Sequence, residues 1–356
     1  MTMVQTREIT LKDIARKVNK SVSTVSMALA DHPRVGEQTK QQINLISRKL
    51  GYKKPESSSG PNYNKTKTSK RFGLVLVGMS IKDEINISML NALSESANSH
   101  NVRFEFLSLG RPDATDADSQ EINDRILSFA SELDGLLLAD FICPETVSKI
   151  CEMGIPCVVL GYAMADIADF FPEGFVVVSP DLIQMGMLAT KTLIESGHER
   201  IGFVCELIAK GMNNDRWLAG YELAHRRKGL QIDPNFIQVA GEVFAGGKPA
   251  AEAILALEKK PTAFFVPDVR IAASFIQEMH FLGVEIPCSS IVISGETNVA
   301  ESYRLANYPR ISVNSPKLAE VGLSCLLRLS DRNIESSSII HTPFTTYNMP
   351  LASKNK

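Results

Sequence analysis

From Phe72 onward, short apolar runs alternate with helix-length segments, and this alternation leaves little freedom of fold. Phe72-Gly-Leu-Val-Leu-Val77 is a continuous apolar run, as a strand buried on both faces requires. A helix is expected near 86–99 and a strand at 102–108, where Val102, Phe104 and Phe106 alternate as on a sheet edge. A helix at 118–131, a strand at Gly135–Ala139, a helix at 145–153 and a strand at Cys157–Leu160 follow. The series restarts at Phe175-Val-Val-Val178. Helices at 183–195, 216–227, 249–257 and 271–281 then alternate with strands at 201–204, 236–239, 263–266 and 291–294, and a helix covers 316–328. Two successive series of four to five strands predict two parallel-sheet lobes, each covered by helices on both faces and facing a cleft.

The N-terminal stretch obeys a different rule. In Ile9-Thr-Leu-Lys-Asp-Ile-Ala-Arg-Lys-Val18, Leu11, Ile14, Ala15 and Val18 recur at helical spacing, and Thr10 with Asp13 resembles a capping box. Asn19-Lys20 breaks the pattern, and Asn tolerates the left-handed conformation of a tight turn. Ser21 caps a second helix to about Leu29. Val22, Val25, Ala28 and Leu29 can face the first helix, with Val22 at the margin, which leaves Ser23, Thr24, Ser26 and Met27 outward. A third helix within 36–50 closes a small core through Ile43, Ile46 and Leu50, and Gly51 ends it. This is a helix-turn-helix, whose second helix can enter a DNA major groove.

Charge divides the chain at the same place. Residues 1–71 hold 15 Lys/Arg and 5 Asp/Glu, and residues 72–356 hold 23 and 35, so a head of net +10 sits on a body of net −12. A basic head suits phosphate contact. Residues 53–71, rich in Ser, Pro, Gly and Lys, read as a linker. The first residues lack a signal-peptide segment and no apolar run is long enough to span a membrane, so a cytoplasmic protein is expected. The six cysteines, scattered without paired spacing, read as small buried hydrophobes rather than disulfides or metal ligands. No phosphate loop, GxSxG, HExxH or GxGxxG motif occurs. No catalytic set, cofactor or metal is therefore expected.

Thr10-Leu-Lys-Asp-Ile-Ala15, Ser21-Val-Ser-Thr-Val-Ser26, His32-Pro-Arg-Val35, Thr39 and Leu50-Gly-Tyr52 closely resemble the DNA-binding domain of the LacI/GalR family of transcriptional regulators. Asp181 with Gly186, Gly197-His-Glu-Arg-Ile-Gly-Phe203, Gly220-Tyr221, Pro261-Thr-Ala-Phe-Phe265 and Gly283-Val-Glu-Ile-Pro287 resemble the family's effector domain, itself similar to periplasmic sugar-binding proteins. The resemblance implies a small all-α helix-turn-helix head (1–52), a linker or hinge (53–71) and an α/β body (72–356) of two doubly wound parallel-sheet lobes, of the periplasmic binding protein-like type I fold. By analogy the chain crosses between lobes near 161–165, 297–303 and 329–335. Lobe one then holds about 72–162 and 300–329, and lobe two about 163–299 and 330–356.

The resemblance also places the sites. Val22, Ser23 and Met27 stand where the family faces base edges. Met27 replaces a common Arg and offers only apolar contact to a base. Ser21, Thr24, Ser26 and Thr39 are candidate phosphate contacts, Arg34 and Lys40 could add charge, and Thr10 completes the DNA-binding set. In the linker the family's hinge-helix run with its wedging leucine is absent, and Tyr63 is the one large side chain available. Ligands of α/β lobes sit at the C-terminal ends of strands, which singles out Met79, Ser80, Asp140, Phe141, Pro267, Asp268 and Glu296. Arg216 and Trp217 join them by resemblance, since the family has an Arg where Trp217 stands. His198 is expected to serve its turn. The function implied is a sequence-specific regulator, a repressor acting as a homodimer on double-stranded operator DNA. A sugar or sugar derivative between the lobes would control it. A regulator without effector response, or a cytoplasmic solute-binding protein, is the alternative. No heptad pattern follows Ser330, so a coiled-coil tetramer is not expected.

Overall fold

The structure is a computed structural model that describes residues 9–29, 35–50, 52, 69–78, 84–110, 116–140, 144–161, 176–206, 213–240, 247–331 and 338–349. The head comprises α1 (Leu11–Val18), α2 (Val22–Leu29) and α3 (Glu37–Leu50). Ile14, Val25 and Ile43, one from each helix, have no exposed surface and form the centre of its core with Ala15, Val18, Ala28 and Val35. Asn19 ends α1 in the left-handed region at φ 51°, as its position in the turn requires.

The body contains two six-stranded sheets. The first is built from β1 (Lys70–Val77), β2 (Val102–Leu109), β3 (Gly135–Asp140), β4 (Cys157–Leu160), β5 (Val176–Pro180) and β11 (Ser338–Thr342), in the order β11-β5-β4-β3-β1-β2. The second is built from β6 (Ile201–Cys205), β7 (Ile237–Val239), β8 (Ala263–Val266), β9 (Ile291–Ser294), β10 (Arg310–Ser312) and β12 (Thr345–Tyr347), in the order β12-β10-β9-β8-β6-β7. Pairing is parallel throughout except between β10 and β12. The helices are α4 (Glu84–His100), α5 (Asp116–Ser131) and α6 (Pro144–Glu152) between strands of the first sheet. α7 (Leu182–Glu195), α8 (Asn213–Lys228), α9 (Gly247–Ala256), α10 (Val269–Phe281) and α11 (Thr297–Ser302) flank the second, and α12 (Ser315–Ser330) returns to the first.

The central strands read as expected. β1, β3, β4, β6, β8 and β9 are near-continuous apolar runs, and each sheet has a buried cluster on either face. β2 is an edge strand, and its alternation leaves Phe106 47% exposed.

The crossings between lobes lie later than the sequence suggested. The run 175–178 does not open the second sheet. Val176 pairs with Val158, Val177 with Val159 and Val178 with Leu160, so β5 is a strand of the first sheet. The first crossing is therefore Pro180-Asp181, not 161–165. β10 pairs with β9 and delays the second crossing from 297–303 to 312–315. β11 pairs with β5, whereas β12 pairs with β10, so the third crossing falls at 342–345 rather than 329–335. The lobe boundaries shift accordingly. The physical cause is that β10, β11 and β12 are only three- to five-residue strands, too short for a local periodicity to mark them.

Candidate DNA-binding face and interlobe cleft

The head offers the N-terminal turn of α2 to solvent. Ser21 caps it, its Oγ accepting the N–H of Thr24 at 3.0 Å. The same Oγ lies 2.8 Å from the Ser23 hydroxyl and 2.7 Å from that of Thr24. Ser21, Ser23 and Ser26 are exposed, Thr24 is half-buried, and Val22 is 40% exposed instead of closing onto α1. Three hydroxyls at a helix N-terminus make a surface suited to phosphate oxygens. Met27 is half-buried and packs its side chain partly against the head core. Thr39 and Lys40 lie half-buried in the first turns of α3.

Thr10 departs from its expected role. The Asp13 carboxylate accepts both its N–H, at 2.9 Å, and its hydroxyl proton, at 2.7 Å. With both donors held in the cap of α1, Thr10 has none to give a phosphate. Arg34 and Tyr63 lie outside the described residues.

Met79, Ser80 and Phe141 lie outside the described residues, as does the side chain of Asp140, which ends β3. α7 and α8 meet at glycine contacts. A Cβ on Gly220 would lie 2.3 Å from the Ile183 carbonyl oxygen, and one on Gly186 would lie 2.6 Å from that of Trp217. This close approach turns Trp217 into the lobe core, where it is 4% exposed and meets Phe265 edge-on at 5.6 Å. Trp217 is therefore a core residue, not a cleft residue. Arg216, beside it, is half-buried. Burial lowers its pKa, against the opposing pull of Asp181 and Asp215.

Asp268 and Glu296 are also held by internal bonds. Asp268 caps α10 by accepting the N–H of Arg270 at 2.7 Å, and its two oxygens receive the Arg270 guanidinium. Burial disfavours the Arg270 charge, but the Asp268 carboxylate outweighs it, with Glu206 and Tyr303 adding, so the pKa is raised. Glu296 accepts the Ser312 hydroxyl at 2.6 Å and both the N–H and hydroxyl of Ser315, at 2.7 and 2.8 Å. It thus ties the end of β9 to the second crossing. These bonds fix the position of the Glu296 carboxylate beside the second crossing.

The sequence reading missed Arg270, Glu206 and the pair Ser88–Asn298. Arg270 is legible as the residue that follows a capping Asp by two positions. Ser88, on α4, and Asn298, on α11, stand 3.5 Å apart and join the two lobes at the rim. Nothing local in the sequence announces that contact. His198 serves its turn, with Nδ1 3.0 Å from the Thr262 hydroxyl.

A helix-turn-helix head on a two-lobed binding-protein body defines a DNA-binding regulator with a separate ligand-binding module. Residues 10–55 match the sequence profile of the bacterial regulatory proteins of the lacI family, and residues 190–346 match that of the periplasmic binding protein-like domain. The chain is 24% identical to catabolite control protein A of Priestia megaterium, over 94% of this chain and 96% of that one. It is 25% identical to the transcriptional repressor CytR of Escherichia coli (91% and 89%) and 26% identical to the ribose operon repressor of the same organism (94% and 97%). Its fold matches the transcriptional regulator CelR in complex with cellobiose, with a TM-score of 0.65 at 16% identity over 96% of this chain and 98% of that one. It also matches the lac repressor dimer bound to operator and an anti-inducer, with a TM-score of 0.62 at 16% identity and the same coverage. Residues 10–55 form a lacI-family DNA-binding domain, which makes the chain a DNA-binding regulator of transcription.

Proposed function

We propose that this regulator represses transcription as a homodimer on a palindromic operator, under the control of a sugar or sugar derivative held between its lobes. The exposed hydroxyl cluster at the start of α2 carries the reading, because it puts donors on the face of a basic head where phosphates can reach them. Ser23, Val22 and Met27 read base edges in this proposal. Ser21, Thr24, Ser26, Thr39, Arg34 and Lys40 position the head. Two relatives named as repressors and one neighbour solved with cellobiose support repression and the effector class. The working boundaries are a head at 1–52, a linker at 53–71 and a body from 72 onward.

Arg216, with the groups at the ends of β1 and β3, forms the polar part of the effector site. The effector stabilises one relative setting of the lobes, and the crossings at 180–181, 312–315 and 342–345 absorb the change. Dimerisation follows from the two-fold symmetry of a palindrome. No described helix is long and apolar enough to cross a membrane, and a DNA-binding role supports a cytoplasmic location.

The test is selection of bound duplexes from a random pool with the full chain and with residues 1–60 deleted. An enriched palindrome that disappears on deletion supports the reading, and enrichment of no sequence defeats it. A sugar panel read by melting temperature tests the effector. A bound ligand raises the transition by mass action, and a flat response with intact DNA binding favours a regulator without effector control.

A further inference from the structure

Two cysteines face each other across the turn from α6 to β4. Cys151 lies in the last turn of α6 and Cys157 opens β4, with their Sγ atoms 3.7 Å apart. The turn between them is tight. Gly154 sits in the left-handed region at φ 72°. Its N–H donates to the Cys151 carbonyl at 2.8 Å, and that of Ile155 to Ile150 at 3.3 Å. Cys157 is buried in a core cluster, whereas Cys151 is half-buried and open to solvent. The contact with Cys157 lowers the Cys151 pKa against the effect of burial, while the same contact and burial push Cys157 well up. One sulfur is thus the better nucleophile and the other stands behind it.

The outer side of this turn meets the DNA-binding head. A Cβ on Gly154 would lie 3.6 Å from Cβ of Arg48, on α3. The Arg48 guanidinium lies 3.8 Å from Asp134, whose carboxylate also accepts the N–H of Arg71 on β1 at 2.9 Å. The dithiol turn, the last helix of the head and the strand that follows the linker therefore meet at one place.

We propose that Cys151 and Cys157 form a reversible dithiol–disulfide pair that hydrogen peroxide oxidises, and that its closure reshapes the turn beneath the head and weakens DNA binding. The Cys151 thiolate attacks a peroxide oxygen; an S–O bond forms, the O–O bond breaks, and the leaving oxygen departs as water after taking a proton. The Cys157 sulfur then attacks the Cys151 sulfenic acid; the S–S bond forms, the S–O bond breaks, and a second water carries off the Cys157 proton. Two thiols lose two electrons to one peroxide. Bonding draws the sulfurs together by about 1.7 Å, so the segment carrying Gly154 must move against Arg48. A thiol reductant reverses the change by exchange.

This proposal rests on the DNA-binding reading, and its test separates the two. The full chain is treated with hydrogen peroxide, its remaining thiols are alkylated, and it is digested by a protease that cuts after Glu152. The expected product joins the peptides carrying Cys151 and Cys157, two hydrogens lighter than their sum, and a reductant parts them. Binding to a labelled random-sequence duplex at low salt is expected to weaken about fivefold or more on oxidation and to recover on reduction. Cys151→Ser, a near-isosteric change at a half-exposed site, should abolish both effects without altering binding by the reduced protein. Full alkylation of both cysteines after peroxide overturns the proposal, and a crosslink that leaves DNA binding unchanged overturns the coupling to the head. A chain that binds no duplex in either state breaks the regulator reading and with it the affinity claim. The mass result then decides the thiol chemistry alone.

Discussion

The head and the hinge of the body use the same residue types in opposite ways. At the start of α2, Ser21, Ser23 and Ser26 stand exposed, and the Ser21 Oγ meets the Ser23 and Thr24 hydroxyls and the Thr24 N–H. At the lobe crossings, the Ser312 and Ser315 hydroxyls are buried and both donate to Glu296. A surface that meets a polyanion keeps donors outward, because water satisfies them until phosphate replaces it. A hinge must hold two bodies in register without water, so each buried donor needs a fixed acceptor. A polar residue at a strand end is thus ambiguous until its neighbours are known.

This contrast can be broken most forcefully where α7 and α8 meet. Gly220→Val places a side chain where the Ile183 carbonyl oxygen and the Met187 nitrogen already lie 2.3 and 2.7 Å from an ideal Cβ. Both obstacles are helix backbone, so α7 and α8 must separate. The expected cost is about 3 kcal/mol, at the upper end of overpacking effects, seen in denaturant unfolding of the body. A variant of unchanged stability would mean that the helices can part freely, and the burial of Trp217 would need another cause.

Glu296→Ala comes next. It leaves the Ser315 N–H and two hydroxyls without their acceptor, at an expected cost of about 2 kcal/mol. If Glu296 were mainly a sugar ligand, the variant would lose effector response while its unfolding midpoint stayed in place. That outcome would reverse the hinge assignment.

Such distinctions mark the limit of what sequence patterns convey. The central strands and the head were legible because their signals are local. Apolar runs are confined to a few residues, and Ile14, Val25 and Ile43 fall at helical spacing on helices with clear ends. β10, β11 and β12 were not legible: β11 pairs with a strand more than a hundred residues away, β12 pairs with β10 only after the chain has crossed twice, and β10, beside β9, is too short to show a period. Trp217 was misplaced for a related reason. Sequence position put it beside Arg216 near the cleft, but the direction of each side chain is fixed by the glycine contact between α7 and α8. Asp268 and Glu296 stood at the right ends of the right strands. Their hydrogen-bond partners, Arg270 in one case and Ser312 with Ser315 in the other, decide what those carboxylates do.

Smaller effects sharpen the comparison from the side of the head. Ser21→Ala removes the N-cap bond to Thr24, and a cost of about 1 kcal/mol to the head is expected, measured as an earlier thermal transition of the helical signal. Ser23→Ala, which leaves that bond intact, should change stability by less than about 0.5 kcal/mol while weakening DNA binding. Equal losses of stability in both variants would show that the hydroxyl cluster serves the fold more than the ligand.

The smallest change tests the electrostatic side of the same face. Lys40 lies half-buried in the first turn of α3, at the start of the helix that follows α2. If its ammonium meets a phosphate, Lys40→Gln removes one charge contact and the release of the counterion associated with it. The logarithm of the binding constant then falls less steeply with that of salt, by about 0.9 in slope. Affinity drops by a similar factor for every duplex, because a phosphate contact carries no base information. A parallel slope with reduced affinity would place Lys40 among the groups that hold the head together, and one with altered sequence preference would place it among those that read bases. Only the flattened, sequence-blind response matches a face built to keep its charges and hydroxyls for the backbone of DNA.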